Sequence, residues 1–167
     1  MAGLTAPPDN SEPIAGQVIQ ADGWFPGIDT GTVRSIIRIG EGAVTEARLA
    51  EAVIAGILAG LKALASWRSA HASAGVPDLA DVTTQQLAGE NMAELLWRRV
   101  VTYYAAAELS DTHTDVSATD DALDREDDKR LTADLYRRKA YEAVADLRAL
   151  GDHAEPASEG RNRVCLI

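Results

Sequence analysis

A single cysteine, Cys165, among 167 residues excludes an intramolecular disulfide and fits a reducing compartment. Basic residues are also scarce: 16 Lys and Arg stand against 26 Asp and Glu, for a formal net charge of −10. That balance argues against a general nucleic-acid binder, which needs positive surface to displace counterions from phosphates. Long hydrophobic runs are missing as well. The most apolar stretch, AVIAGILAGL between Glu51 and Lys62, is half the length a bilayer requires. The opening MAGLTAPPDNSEPIAG lacks the basic start and apolar run of a secretory signal, so a soluble, intracellular protein is expected. The ending VCLI is no prenylation signal, because its cysteine is third from the end and the signal needs it fourth.

The usual carriers of chemistry are absent too. His71, His113 and His153 lie in separate segments, and none has a Glu three residues before it or another His at helical spacing. Zinc and di-iron signatures are therefore missing. There is no glycine-rich phosphate loop and no G-x-S-x-G, and Cys165 sits where no base is held against it. Asp111, Asp115, Asp120 and Asp121 are close enough to wrap a calcium ion. Their loop nonetheless lacks the central glycine and the terminal glutamate at calcium-loop spacing, so a solvated charge run is the better reading. No catalytic residue, metal ligand or cofactor is assigned, and an enzyme is not expected.

What remains is helical periodicity. Residues 1–20 hold Pro7, Pro8 and Pro13 and read as an extended arm. Asp29 or Thr30 can cap a short helix in which Val33, Ile36 and Ile37 share a face. Thr45 caps a long helix to about Ser73, with the stripe Leu49, Val53, Ile57, Leu61 and Leu64 widened by Ile54 and Leu58. Gly56 and Gly60 leave one flank without bulk, as a tight helix crossing needs. Gly75 and Pro77 end that helix. A third helix is expected from about Asn91 to Leu109, with Leu95, Leu96, Val100, Tyr103, Tyr104 and Ala107 inward. A fourth follows the acidic run and ends near Leu150, carrying Leu131, Leu135, Tyr136, Ala140, Val144 and Leu147 inward. No β-alternation or internal repeat is visible. The fold class is all-α: a small bundle of three to four main helices over residues 21–150, with the arm before it and a flexible tail, 151–167, after it.

Charge is distributed unevenly. Residues 111–128 sum to −7 and include Asp120, Asp121, Asp124, Asp127 and Asp128, whereas residues 129–150 sum to +3. Two basic clusters stand out, Arg98 with Arg99 and Arg137, Arg138 with Lys139. Glu94 and Glu142 lie four residues from Arg98 and Arg138, so surface pairing along each helix accounts for part of this, at a few tenths of a kcal/mol per pair. The other reading sets the basic face of one subunit against the acidic run of another, a head-to-tail contact that builds rings. A helical DNA-packaging or regulatory protein that binds nucleic acid is the alternative. It would present residues 129–150 to DNA, and Asp134, Glu142 and Asp146 interrupt that surface.

The segments DGWFPGID, LASWRSAHASAG, DLADV, LWRRVV…AAAELSD and LYRRKAYEAVADLRALG, taken in order over residues 17–151, resemble the head completion/stabilisation (gpL-type) proteins of temperate contractile-tailed phages. The resemblance implies a structural virion protein of the head–tail neck, assembled in the host cytoplasm. Such a protein docks on the portal protein after packaging, forms a ring matching its twelve-fold symmetry, and carries a tail-proximal neck or tail-completion protein. DNA passes the bore without specific binding, and no membrane is involved. On this reading Arg161, Asn162, Arg163, Val164, Cys165, Leu166 and Ile167 form the portal-docking tail. The GWFPGI turn, with Trp24, Phe25, Pro26 and Ile28, anchors the amino-terminal arm to the bundle.

Overall fold

The computed structural model describes residues 16–37, 44–112 and 120–151, with residues 120–130 as backbone alone. It is an all-α bundle. A short helix, α1 (Thr30–Ile36), precedes three long ones: α2 (Glu46–Ser73), α3 (Met92–Thr112) and α4 (Asp120–Ala149). Helix α3 is central, packing on α2 along one side and on α4 along the other, while α2 and α4 barely meet.

Local chemistry sets the boundaries. The Asp29 carboxylate accepts from the Thr32 N–H (2.8 Å) at the head of α1, and Thr45 does the same for Arg48 N–H (3.4 Å) at the head of α2. Gly75, at φ +89°, turns the chain out of α2 in the left-handed conformation that glycine adopts without strain. Asn91 starts α3 by accepting from the Ala93 N–H (2.9 Å), while its amide donates to the carbonyls of Ala80 and Thr83.

Two very short antiparallel pairs join the helices among the described residues, against the expectation of no β-structure. Strand β1 (Val18–Ile19) pairs with β2 (Ile28–Asp29), and β3 (Gln86–Leu87) pairs with β4 (Glu90–Asn91). Each pair is two residues long, too short for an alternating pattern to register in the sequence. The second is closed by Ala88 and Gly89, both at positive φ, as a two-residue hairpin turn requires.

The core is built on the α2–α3 crossing. Leu49, Val53, Ile57 and Leu64 of α2 meet Trp97, Val100 and Val101 of α3, and Leu147 of α4 closes the cluster. The two backbones approach so closely that a Cβ on Gly56 would lie 2.7 Å from the Val101 carbonyl oxygen. One on Gly60 would lie 2.7 Å from the Trp97 ring. The small flank of α2 is thus the floor of the crossing.

Several inward assignments need correction. Ile36, Ile54, Leu58, Leu131 and Leu135 are exposed. Ile54 and Leu58 lie at the margin of the α2 stripe, which α3 covers only through its centre. Leu131 and Leu135 sit on the side of α4 opposite Ala133, Ala140, Val144 and Leu147, which are buried, so they face away from the bundle. Helix α4 continues ahead of Arg137, which bonds Asp111 in the last turn of α3. Helix α4 also begins at Asp120, so the latter half of the acidic run is helical. Asp120 and Asp121 occupy its first turn, where the positive end of the helix dipole favours negative charge. The ten-residue apolar run is part of a helix that, by length and hydropathy, is long enough to cross a membrane. Its stripe is buried against α3.

Candidate assembly interface

The aromatic turn is built from Asp22 outward. The Asp22 carboxylate accepts from the N–H groups of Trp24 (3.2 Å) and Phe25 (3.0 Å), folding a tight turn through Gly23 at φ +86°. Trp24 and Phe25 are thereby driven inward, and both are buried. Phe25 stacks on Trp97 with ring centres 4.3 Å apart, and Trp24 packs edge-on against Phe25 and Trp67. The polar atoms of the turn are matched in the same places. Trp97 Nε1 donates to the Pro26 carbonyl (3.0 Å) and Trp24 Nε1 to the Val76 carbonyl (3.1 Å), while Leu79 N–H donates to the Trp24 carbonyl (3.0 Å). Ile28 is buried beside them, and the segment joins α3 to the loop after α2.

Trp97 is the partner that sequence reasoning passed over in favour of Leu95 and Leu96, which are only half-buried. Its signal was its spacing: Ala93, Trp97, Val100 and Val101 recur at three and four, and all are fully buried.

A polar knot at the start of α1 and α2 was not foreseen either. The Thr30 hydroxyl, fully buried, donates to Glu46 Oε1 (2.5 Å) and accepts from Gln17 N–H (3.0 Å), and Arg34 pairs with Glu46 at 3.0 Å. The Thr30 hydrogen bond and Arg34 hold the Glu46 carboxyl below its ordinary pKa. The two bonds from Thr32 do the same for Asp29. Burial pushes the Tyr104 phenol upward, with Tyr141 beside it.

The charged residues are arranged as follows. Arg98 bonds Glu90 on β4 rather than Glu94, and Arg137 bonds both Asp134 (2.9 Å) and Asp111. No ion pair joins Arg138 to Glu142 among the described residues. Arg99 and Lys139 come together instead, over the ring of Tyr103 at 5.3 and 5.7 Å. One member of each basic cluster, forty residues apart in sequence, is thus brought to the same place, where α3 and α4 lie side by side. Asp120, Asp121, Asp124, Asp127 and Asp128 lie in the first three turns of α4. Arg161 to Ile167 and residues 1–15 lie outside the described residues.

The described residues contain no cluster of three or more His, Cys, Asp or Glu side chains fit to hold a metal ion. What the surface offers is contact area of two kinds: the basic spot where Arg99 and Lys139 meet over Tyr103, and an apolar groove between α2 and residues 19–22, walled by Ile19, Ala21, Ile54, Leu58 and Leu61.

The chain is similar to known proteins over this same span. The phage head completion protein (GPL) family matches residues 19–154. The head completion/stabilization protein of Escherichia phage P2 is 31% identical over 138 residues, which cover 83% of this chain and 79% of the relative. No solved structure matches. With the aromatic turn, the crossing and the basic spot all inside the matched span, the chain belongs to the phage head completion protein family, whose role in the virion is structural rather than enzymatic.

Proposed function

We propose that this head completion protein is an adaptor that docks as a ring on the portal vertex once the genome is packaged. There it stabilises the filled head and gives the tail-proximal neck or tail-completion protein its platform. The observation that carries the reading is the family match over nearly the whole helical unit, joined to a surface rich in contact area. A ring matching the portal's twelve-fold symmetry is the simplest way for one small subunit to cap a portal vertex. With a net charge of −10 the subunits repel DNA, so the genome passes through the bore without adhering.

The docking element is the tail from Arg161 to Ile167, whose last four residues are apolar. It attaches by adding a strand to an exposed edge of the portal or by filling a groove there. The decisive experiment is light-scattering mass on a sizing column for the protein with the portal of the same genome. A ring-sized increment on the portal, lost when residues 161–167 are deleted, is the expected result. Deletion should leave the melting temperature unchanged. A large fall would instead mean that the segment packs on its own bundle.

A further inference from the structure

Arg99 from α3 and Lys139 from α4 share one aromatic ring, that of Tyr103, and Lys139 also lies 5.8 Å from the ring of Tyr136. Two cations converging on one ring repel each other, and among the described residues neither forms an ion pair with a carboxylate. Beside them opens a cleft of about 230 Å³ lined by Ile36, Leu95, Arg98, Arg99, Thr102 and Tyr103. The Thr102 hydroxyl belongs to a residue only 1% exposed and has no hydrogen-bond partner among the described residues. A helical threonine ordinarily bonds back to the carbonyl four residues earlier, and a buried hydroxyl left without any partner is costly. Ile36 leaves an apolar wall half-exposed at the rim. Uncompensated cations, an unused donor and apolar walls together describe a site whose missing component is a carboxylate-bearing segment.

We propose that this cleft receives residues 120–128 at the start of α4 from a second copy of the chain. The inference rests on the ring reading above and names its contact. The complementary charge is in the sequence: six of these nine residues are Asp or Glu. A subunit cannot fill its own cleft this way. Lys139, which lies over the ring of the cleft residue Tyr103, and Asp124 belong to the same continuous helix, which holds them about 22 Å apart at 1.5 Å per residue. The acidic start of α4 also runs on past the end of α3, so it is carried away from the cleft and toward a neighbour. Unlike patches on one subunit make a head-to-tail contact, which propagates and closes as a ring. Phosphate is the poorer occupant, because the molecule as a whole repels it.

The test uses two full-length variants, each keeping one half of the contact. Arg99→Glu with Lys139→Glu spoils the cleft, and Asp124→Asn with Asp127→Asn and Asp128→Asn spoils the insert. Arg99 and Lys139 are exposed, and circular dichroism checks that both variants keep the fold. Sedimentation, alone and with the portal, should show that each variant needs at least about tenfold more protein than wild type to assemble. An equimolar mixture should form a one-to-one dimer and nothing larger, since each variant supplies the half the other lacks. Variants that assemble as wild type does would overturn this contact and leave the ring standing. A cleft variant that assembles normally but no longer retains DNA on a filter at low salt would also overturn it, in favour of nucleic acid. Wild type that neither assembles nor loads on the portal would overturn both the ring and the contact.

Discussion

Gly56 and Gly60 set two effects of opposite sign against each other. Alanine is the better helix former by about 1 kcal/mol, so either substitution would stabilise an exposed helix. Here the added carbon meets a backbone carbonyl or a locked indole at 2.7 Å, and the helices must separate. The expected outcome of Gly56→Ala is a net loss of about 1–3 kcal/mol by urea titration, overpacking exceeding propensity. Trp97→Ala removes the stacking partner of Phe25 and the donor to Pro26, and should cost about 3–5 kcal/mol. Glu46 gives a pH signature. Its carboxyl is held below the ordinary value in the folded protein, so the unfolded chain binds the proton more readily. Its contribution is present above about pH 4.5 and is lost as the pH falls through the folded value. Glu46→Gln should lower stability at neutral pH and flatten the acid limb of the stability curve, measured by denaturant midpoints from pH 7 to pH 3.

At the scale of elements, the start of α4 makes its own prediction. Acids in a first turn are stabilised by the helix dipole at about 0.3–1 kcal/mol each. Asp120→Lys with Asp121→Lys should therefore fray this end, seen as faster amide exchange over residues 121–128 with the rest of α4 unchanged. The same turn shows what the sequence made legible. The bounds of α2 were readable because Thr45 and Gly75 are caps whose chemistry is local. The start of α4 was not, because a dense acidic run reads equally well as solvated loop and as dipole-matched helix. The inward face of α4 misled for a related reason. Leu131 and Leu135 lie about half a turn away from the face shared by Ala133, Ala140, Val144 and Leu147, where the buried residues nearest them are small alanines that apolar size alone does not single out. The aromatic turn was conspicuous from composition alone, whereas its receptor, Trp97, needed the crossing to be known. The convergence of Arg99 and Lys139 on Tyr103 depends on the register of α3 against α4, which no single segment encodes.

For the molecule as a whole, folding and association draw on different forces. The fold rests on buried apolar surface and the aromatic turn, which salt hardly weakens. The proposed contact rests on exposed charge, over which the screening length shortens from about 10 Å at 0.1 M salt to about 3 Å at 1 M. Raising salt across that range should weaken assembly, read by sedimentation, while the melting temperature moves little. Assembly indifferent to salt would remove charge complementarity from the account.

The overhang of α4 has a further consequence, in angular phase. A helix advances about 100° and 1.5 Å per residue. Deleting one residue between Asp128 and Leu131 would swing the acidic run through more than a quarter turn while hardly shortening it. Inserting seven there would keep it nearly in phase but about 10 Å further out. Reach and direction can thus be varied separately in one rod, and the two changes would reveal which of them the proposed contact depends on.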